Sequence, residues 1–207
     1  MAVQRQPAVL GVDVGGTKIA AAPVDRTGRM TAPPLSMPTP VESAAVFTAG
    51  VASALQTALS AFADVDIRAV GVACAGTIDS ARGVVVTSPN LPLREVALAA
   101  ALEEALATPV ILENDANAAA WAEAVVGAAA GHRHVVMLTL GTGVGGGLVL
   151  DGRLYRGAGG GAAELGHTIV CRDGELCACG ARGCLEMYAS GKALERFARG
   201  YAGSPSL

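Results

Sequence analysis

Residues 8–24, AVLGVDVGGTKIAAAPV, hold an apolar run, a break rich in glycine and a second apolar run. The mostly apolar residues 8–14 make a strand. Two glycines followed by Thr17 and Lys18 let the chain reverse at once, so the stretch reads as strand, tight turn, strand. Asp13 then sits at the end of the first strand, pointing into the space the turn faces. Thr17 and the backbone N–H groups of Gly15 and Gly16 are donors suited to a phosphate. Residues 135–151, VVMLTLGTGVGGGLVLD, repeat the design with Gly141, Thr142 and Gly143 at the turn. Read singly, each is an ordinary hairpin. Read as a pair about half the chain apart, they predict two related α/β domains presenting phosphate-cradling turns to a shared cleft. The domains are placed at residues 1–115 and 116–207. Neither turn has the Gly-Lys-Ser/Thr of a Walker loop or the strand-to-helix glycines of a dinucleotide fold.

Between the repeats, helices and strands alternate. Thr39, Pro40, Val41 and Glu42 read as a capping box with proline at the first helical position, opening a helix to about Ala63. Residues 69–75 read as a buried strand ended by Gly76, residues 88–92 (SPNLP) as a loop, and residues 95–107 as an alanine-rich helix stopped before Pro109. Val110, Ile111 and Leu112 form another strand, followed at once by Glu113, Asn114, Asp115, Ala116 and Asn117 and then a helix. Polar side chains gathered at a strand-to-helix junction mark where open α/β sheets bind ligands. The helix dipole favours an ionised Asp115, a candidate general base, with a plain N-cap as the alternative.

The stretch of residues 164–186, ELGHTIVCRDGELCACGARGCLE, carries a second kind of chemistry. Cys177, Cys179 and Cys184 fall within eight residues, Gly180 and Gly183 permit tight turns between them, and His167 lies ten residues upstream. Three thiolates and an imidazole make a closed tetrahedral shell for zinc, a structural rather than a catalytic site. Glu164 and Glu186 bracket the loop. Fixing the ligands fixes these carboxylates too, and they can accept hydrogen bonds from a polyhydroxylated substrate. The plainer alternative is a zinc loop flanked by solvated acids.

Composition bounds the rest. The 207 residues are 52% hydrophobic, enough to bury a real core, and the formal net charge is −3 with lysines and arginines scattered. Nothing resembles a basic footprint for nucleic acid or an anionic membrane, so small-molecule partners are favoured. Five cysteines, three of them in metal spacing, fit a reducing compartment rather than a disulfide framework and leave Cys74 and Cys171 over. The N-terminal residues lack an apolar stretch of signal length, and the uncharged run of residues 135–150 is too short and too glycine-rich for a membrane span. A cytoplasmic protein is expected.

Taken together, the motifs resemble the ROK family of sugar kinases, most closely its actinobacterial-type glucokinases. The resemblance runs in order through residues 13–18 (DVGGTK), 113–117 (ENDAN), 140–143 (LGTG), 164–167 (ELGH) and 177–186 (CACGARGCLE), nearly the whole chain. It implies the actin-like ATPase fold, two ribonuclease-H-like α/β domains around a cleft. It implies ATP-dependent phosphorylation of a hexose, glucose first among them, with Asp115 as the base. Magnesium would be held through Asp13 and the phosphates, beside the turns containing Gly15, Gly16, Thr17, Gly141, Thr142 and Gly143. Sugar binding would fall to Gly76, Asn90, Asn114, Asp115, Glu164, His167 and Glu186, with His167 also a zinc ligand. Homodimers or higher homo-oligomers are expected, without nucleic-acid or membrane partners. Chains of the family continue well past the position of Leu207, which implies an incomplete second domain, in either a fragment of a longer kinase or a natural truncation. The alternative function is that of a regulatory or truncated sugar-binding member without kinase activity.

Overall fold

The computed structural model describes residues 6–202. The first five residues and the end of the chain, on which the export and length readings partly rest, lie outside them. The chain divides into two compact units, residues 1–118 and 119–207.

In chain order the first unit contains β1 (Pro7–Val14), β2 (Lys18–Val24), β3 (Leu35–Pro38), α1 (Ala44–Ala61), β4 (Asp66–Cys74), the short strands β5 (Thr77–Asp79), β6 (Val84–Thr87) and β7 (Arg94–Val96), α2 (Leu98–Leu106), β8 (Val110–Asn114) and the start of α3 (Asp115–Val125). Its main sheet has the order β3-β2-β1-β4-β8, antiparallel among the first three strands and parallel from β1 onward. This is the ribonuclease-H-like arrangement. Along β1, Ala8, Leu10, Val12 and Val14 are buried, so the strand has one core face at the two-residue period of a pleated strand. That face packs with Phe47, Val51 and Leu55 of α1 and Leu98 and Leu102 of α2 in one apolar cluster. By length and composition α1 is apolar enough to cross a membrane, yet Phe47, Val51, Leu55 and Ala58 are fully buried in this core.

Two helices begin later than their sequence implies. α1 starts at Ala44, capped by Ser43, whose Oγ accepts the N–H of Val46 at 3.2 Å. Thr39 is drawn elsewhere: its N–H donates to the carbonyl of Thr17 at 3.1 Å and its hydroxyl to that of Gly15 at 2.8 Å. A tertiary contact thus overrides a local capping signal. Similarly, residues 94–96 leave the helical pattern to pair as β7 with β6, and α2 begins at Leu98. The small β5-β6-β7 sheet has no clear periodicity in the sequence.

The second unit holds the rest of α3, then β9 (Val135–Leu140), β10 (Val144–Leu150) and β11 (Arg153–Leu154), a 3₁₀ turn at Leu165–His167, α4 (Glu186–Ala189) and α5 (Gly191–Ala202). The three strands form an antiparallel sheet in the order β11-β10-β9. Gly146 and Gly166 make close approach possible here. A Cβ on Gly146 would lie 2.6 Å from the carbonyl of Ala163, and one on Gly166 would overlap that of Val144, so the 3₁₀ turn lies directly on β10.

Candidate functional site

In the first unit, register assembles the site. Parallel pairing aligns Asp13, Ala73 and Glu113 in one row across β1, β4 and β8, and Val14, Cys74 and Asn114 in the next. The carboxyl ends of three strands therefore release their loops side by side. Asn114 caps α3: its Oδ1 accepts the N–H of Asn117 at 2.9 Å while its Nδ2 donates to the carbonyl of Gly76 at 3.0 Å. Asp115 is thereby excused from capping. It occupies the first helical position, exposed, with Oδ1 accepting the N–H of Ala116 at 2.9 Å. Beneath it Glu113 Oε1 accepts the N–H of Asn114 at 3.0 Å and Nδ2 of Asn117 at 3.3 Å. Asn117 is only 2% exposed. Glu113 and Asn117 had no assigned role in the sequence, although they flank Asp115 there, and Thr39 was read only as part of a helix cap.

The glycine turn after β1 closes through Gly15 N–H to the carbonyl of Lys18 at 3.0 Å and is braced by Thr39. Gly16 faces the loop bearing Asn90, whose carbonyl would stand 3.7 Å from a Cβ at Gly16. Gly76, at φ 125°, packs on the carbonyl of Thr87, where a side chain would overlap it. Asp13, Gly15, Gly16, Gly76, Asn90, Asn114 and Asp115 thus share one end of this unit. The electrostatics agree. Asp13 reaches solvent, yet partial burial and then the charge of Asp115 hold its carboxyl above the usual range, with Lys18 opposing. Cys74, buried under both acids, has its thiol pushed up to about 12, mostly by burial and further by Asp115 and Asp13. A thiol so placed stays neutral and unreactive.

In the second unit His167, Cys177, Cys179 and Cys184 bring one donor atom each to within 4.8 Å of one another. Cys179 Sγ and Cys184 Sγ are 3.6 Å apart, and Cys177 Sγ and His167 Nδ1 are also 3.6 Å apart. Zinc bonds of about 2.3 Å to sulfur and about 2.0 Å to nitrogen give tetrahedron edges of roughly 3.8 and 3.6 Å, so the donor set fits the ion. Burial, then the neighbouring thiols, push Cys184 up to about 12, whereas the backbone at Ala181 and then Cys177 lower Cys179. Three cysteine sulfurs this close can ionise together only with a cation between them. Gly180 and Gly183 have φ of 91° and 78°, and a side chain on Gly183 would overlap the carbonyl of Cys171. Cys171 itself stands outside the four-residue cluster. Tyr188 accepts the N–H of Glu175 at 3.0 Å and holds the loop before Cys177.

The second glycine turn lies in the same unit. Gly191 N–H donates to the carbonyl of Gly141 at 2.8 Å, and Val144 N–H donates to Glu186 Oε2 at 2.9 Å. Gly143 abuts the same carboxylate, where a Cβ would overlap Oε2. Glu164 is exposed just before the 3₁₀ turn, and its carbonyl accepts the N–H of His167 at 3.0 Å. His167 and Glu186 are half-buried, and Thr142 is exposed.

The ROK family model matches residues 9–204. The glucokinase of Streptomyces coelicolor is 45% identical over 190 residues, which make up 92% of this chain and 58% of that one. Among solved structures, a ROK family glucokinase from Streptomyces griseus in complex with glucose and AMPPNP matches with a TM-score of 0.81 and 45% identity, over 94% of this chain and 61% of that chain. A ROK hexokinase from Thermus thermophilus matches with a TM-score of 0.80 and 43% identity, over 96% and 65% respectively. The chain therefore spans about three fifths of the length of these relatives and has their actin-like ATPase fold as far as it runs. With five motifs in order, a ribonuclease-H-like sheet and a family match across nearly its whole length, the chain belongs to the ROK family.

Proposed function

We propose that this chain carries the hexose-binding residues and phosphate turns of an ATP-dependent sugar kinase that converts glucose to glucose 6-phosphate. The observation that carries this reading is the β8–α3 junction, where Asn114 takes the cap and leaves Asp115 exposed and close enough to Asp13 for its charge to help raise that carboxyl. Asp115 accepts the proton of the sugar's 6-hydroxyl as that oxygen attacks the γ-phosphorus of ATP, and the bond to the ADP oxygen breaks. Gly76, Asn90, Asn114, Glu164, His167 and Glu186 bind the sugar. His167 turns Nδ1 to the thiol cluster, which leaves Nε2 for a hydroxyl.

The N–H groups of Gly16 and Thr17 and of Thr142 and Gly143 receive the phosphates, while those of Gly15 and Gly141 close the two turns by donating to the carbonyls of Lys18 and Gly143. Asp13, a hard oxygen donor whose ionisation is opposed by burial and Asp115, fits a magnesium ion. When bound, magnesium neutralises charge on the phosphates. Zinc, held by His167, Cys177, Cys179 and Cys184, supplies a structural cross-link for the loop that ends at Glu186. The kinase acts in the cytoplasm as a homodimer or higher homo-oligomer, with neither nucleic acid nor membrane as partner.

The test is Asp115→Asn, assayed in a chain completed to the length of its relatives. It should lower kcat about a hundredfold or more while glucose affinity changes little, because the base interacts more strongly with the transition state than with bound sugar. A variant that turns over at the parent rate would remove Asp115 from the chemistry. Glucose binding without turnover in the parent itself would favour the regulatory, sugar-binding reading.

A further inference from the structure

Glu186 has a contact that sugar binding does not require. Its Oε2 accepts the N–H of Val144 at 2.9 Å, the residue that leaves the second glycine turn and begins β10. Two neighbours hold this arrangement in place. Gly143 presses against the same oxygen with no room for a side chain, and Gly191, five residues beyond Glu186, donates its N–H to the carbonyl of Gly141 at 2.8 Å. The turn is therefore gripped on both sides by the segment that follows the last cysteine of the metal cluster. A carboxylate has two oxygens and about four acceptor positions. Oε2 is committed to the turn, and Oε1 is left to accept a hydroxyl.

We propose that Glu186 is a positioning residue that couples the two substrates: a hexose hydroxyl on one oxygen fixes the carboxylate, and the other oxygen then holds the 141–144 turn in the conformation that receives the donor's phosphates. The proposal rests on the hexose and phosphate assignments above. A side chain shared by two ligands makes each bind more tightly in the presence of the other, and by linkage the factor is the same from either side. The bond to Val144 needs only an acceptor oxygen, so glutamine serves as well as glutamate. Gly143→Ala offers a route to the same bond that leaves the carboxylate unaltered, since the new methyl displaces Oε2.

The experiment is calorimetry of glucose binding with and without AMPPNP and magnesium, on the chain completed to the length of its relatives as parent and on its Glu186→Gln, Glu186→Ala and Gly143→Ala variants, with thermal melts to establish that each is folded. In the parent, AMPPNP should tighten glucose by about fivefold or more. Glu186→Gln should keep that ratio whatever its own glucose affinity, and Glu186→Ala and Gly143→Ala should bring it close to one. A ratio of one in the parent, or the parent ratio in folded Glu186→Ala and Gly143→Ala, would overturn the coupling and leave the kinase reading standing. A parent that binds no glucose, or no AMPPNP, would instead overturn that reading and the coupling with it.

Discussion

Asp13 shows how a single carboxylate can be kept at a cost in stability. Burial and the neighbouring acid raise the carboxyl of Asp13 above its ordinary 3.8. Between that value and the raised one, the folded protein binds more protons than the unfolded chain, so Asp13 makes stability fall as pH rises through this window, and the loss persists above it. Asp13→Asn should therefore melt higher than the parent at pH 7, by an amount that solvent screening keeps small, and the gap should close below about pH 4. Equal melting temperatures at both pH values would remove the like-charge account. Four other side chains, His167, Cys177, Cys179 and Cys184, form the donor cluster. Metal analysis should find about one zinc per chain. Cys184→Ser should lose it and weaken glucose binding with it, while Cys171→Ser, outside the cluster, should change neither. If Cys171→Ser empties the site, the ligand set is wrong.

Among the elements, β3 and α1 are joined by residues 39–43, and the two polar residues at the ends of that connection have duties easily confused. Ser43 caps the helix, whereas Thr39 hangs the glycine turn from the start of the connection through two hydrogen bonds. Ser43→Ala should cost about 1 kcal/mol of stability, read by urea unfolding, and leave donor binding alone. Thr39→Val keeps the shape and removes the hydroxyl bond to Gly15, so it should weaken AMPPNP several-fold while glucose affinity holds. The reverse pattern would return Thr39 to the role of a helix cap. The hairpins, α3 and the strand of residues 110–112 were legible in the sequence because each is a local period bounded by a local breaker. The start of α1, the start of α2 and the β5-β6-β7 sheet were not, because partners distant in sequence outweigh propensity there.

As a whole molecule, the chain carries a complete core in its first unit and a barely covered sheet in its second. Along β9, Val136 is 69% exposed and Leu140 67%, with Leu138 between them and Leu194 exposed on α5. An alternating apolar face on an edge strand favours pairing with another copy. Sedimentation velocity should show association of the 207-residue chain rising with concentration, reduced when Leu138 and Leu140 are both changed to lysine. An unchanged monomer at all concentrations would count against that surface. About two fifths of the length of the Streptomyces relatives is unmatched by this chain, so a version completed to their length should phosphorylate glucose faster than this chain, which should still bind the sugar.

What the sequence determined by itself was whatever a few adjacent residues can encode: two strand-turn-strand hairpins, a polar strand-to-helix junction, and a His/Cys quartet whose three cysteines lie within eight residues. Such signals survive without a partner because turn geometry and ligand spacing are properties of the local chain. Only the tertiary structure decided which side chain does which job. Thr39 reaches Gly15 across 24 residues, Asn114 reaches Gly76 across 38, and Val144 reaches Glu186 across 42. In each case a polar group that local pattern assigns to a cap, a sugar or a strand finds a stronger claim once packing removes water and demands that every buried donor and acceptor be paired.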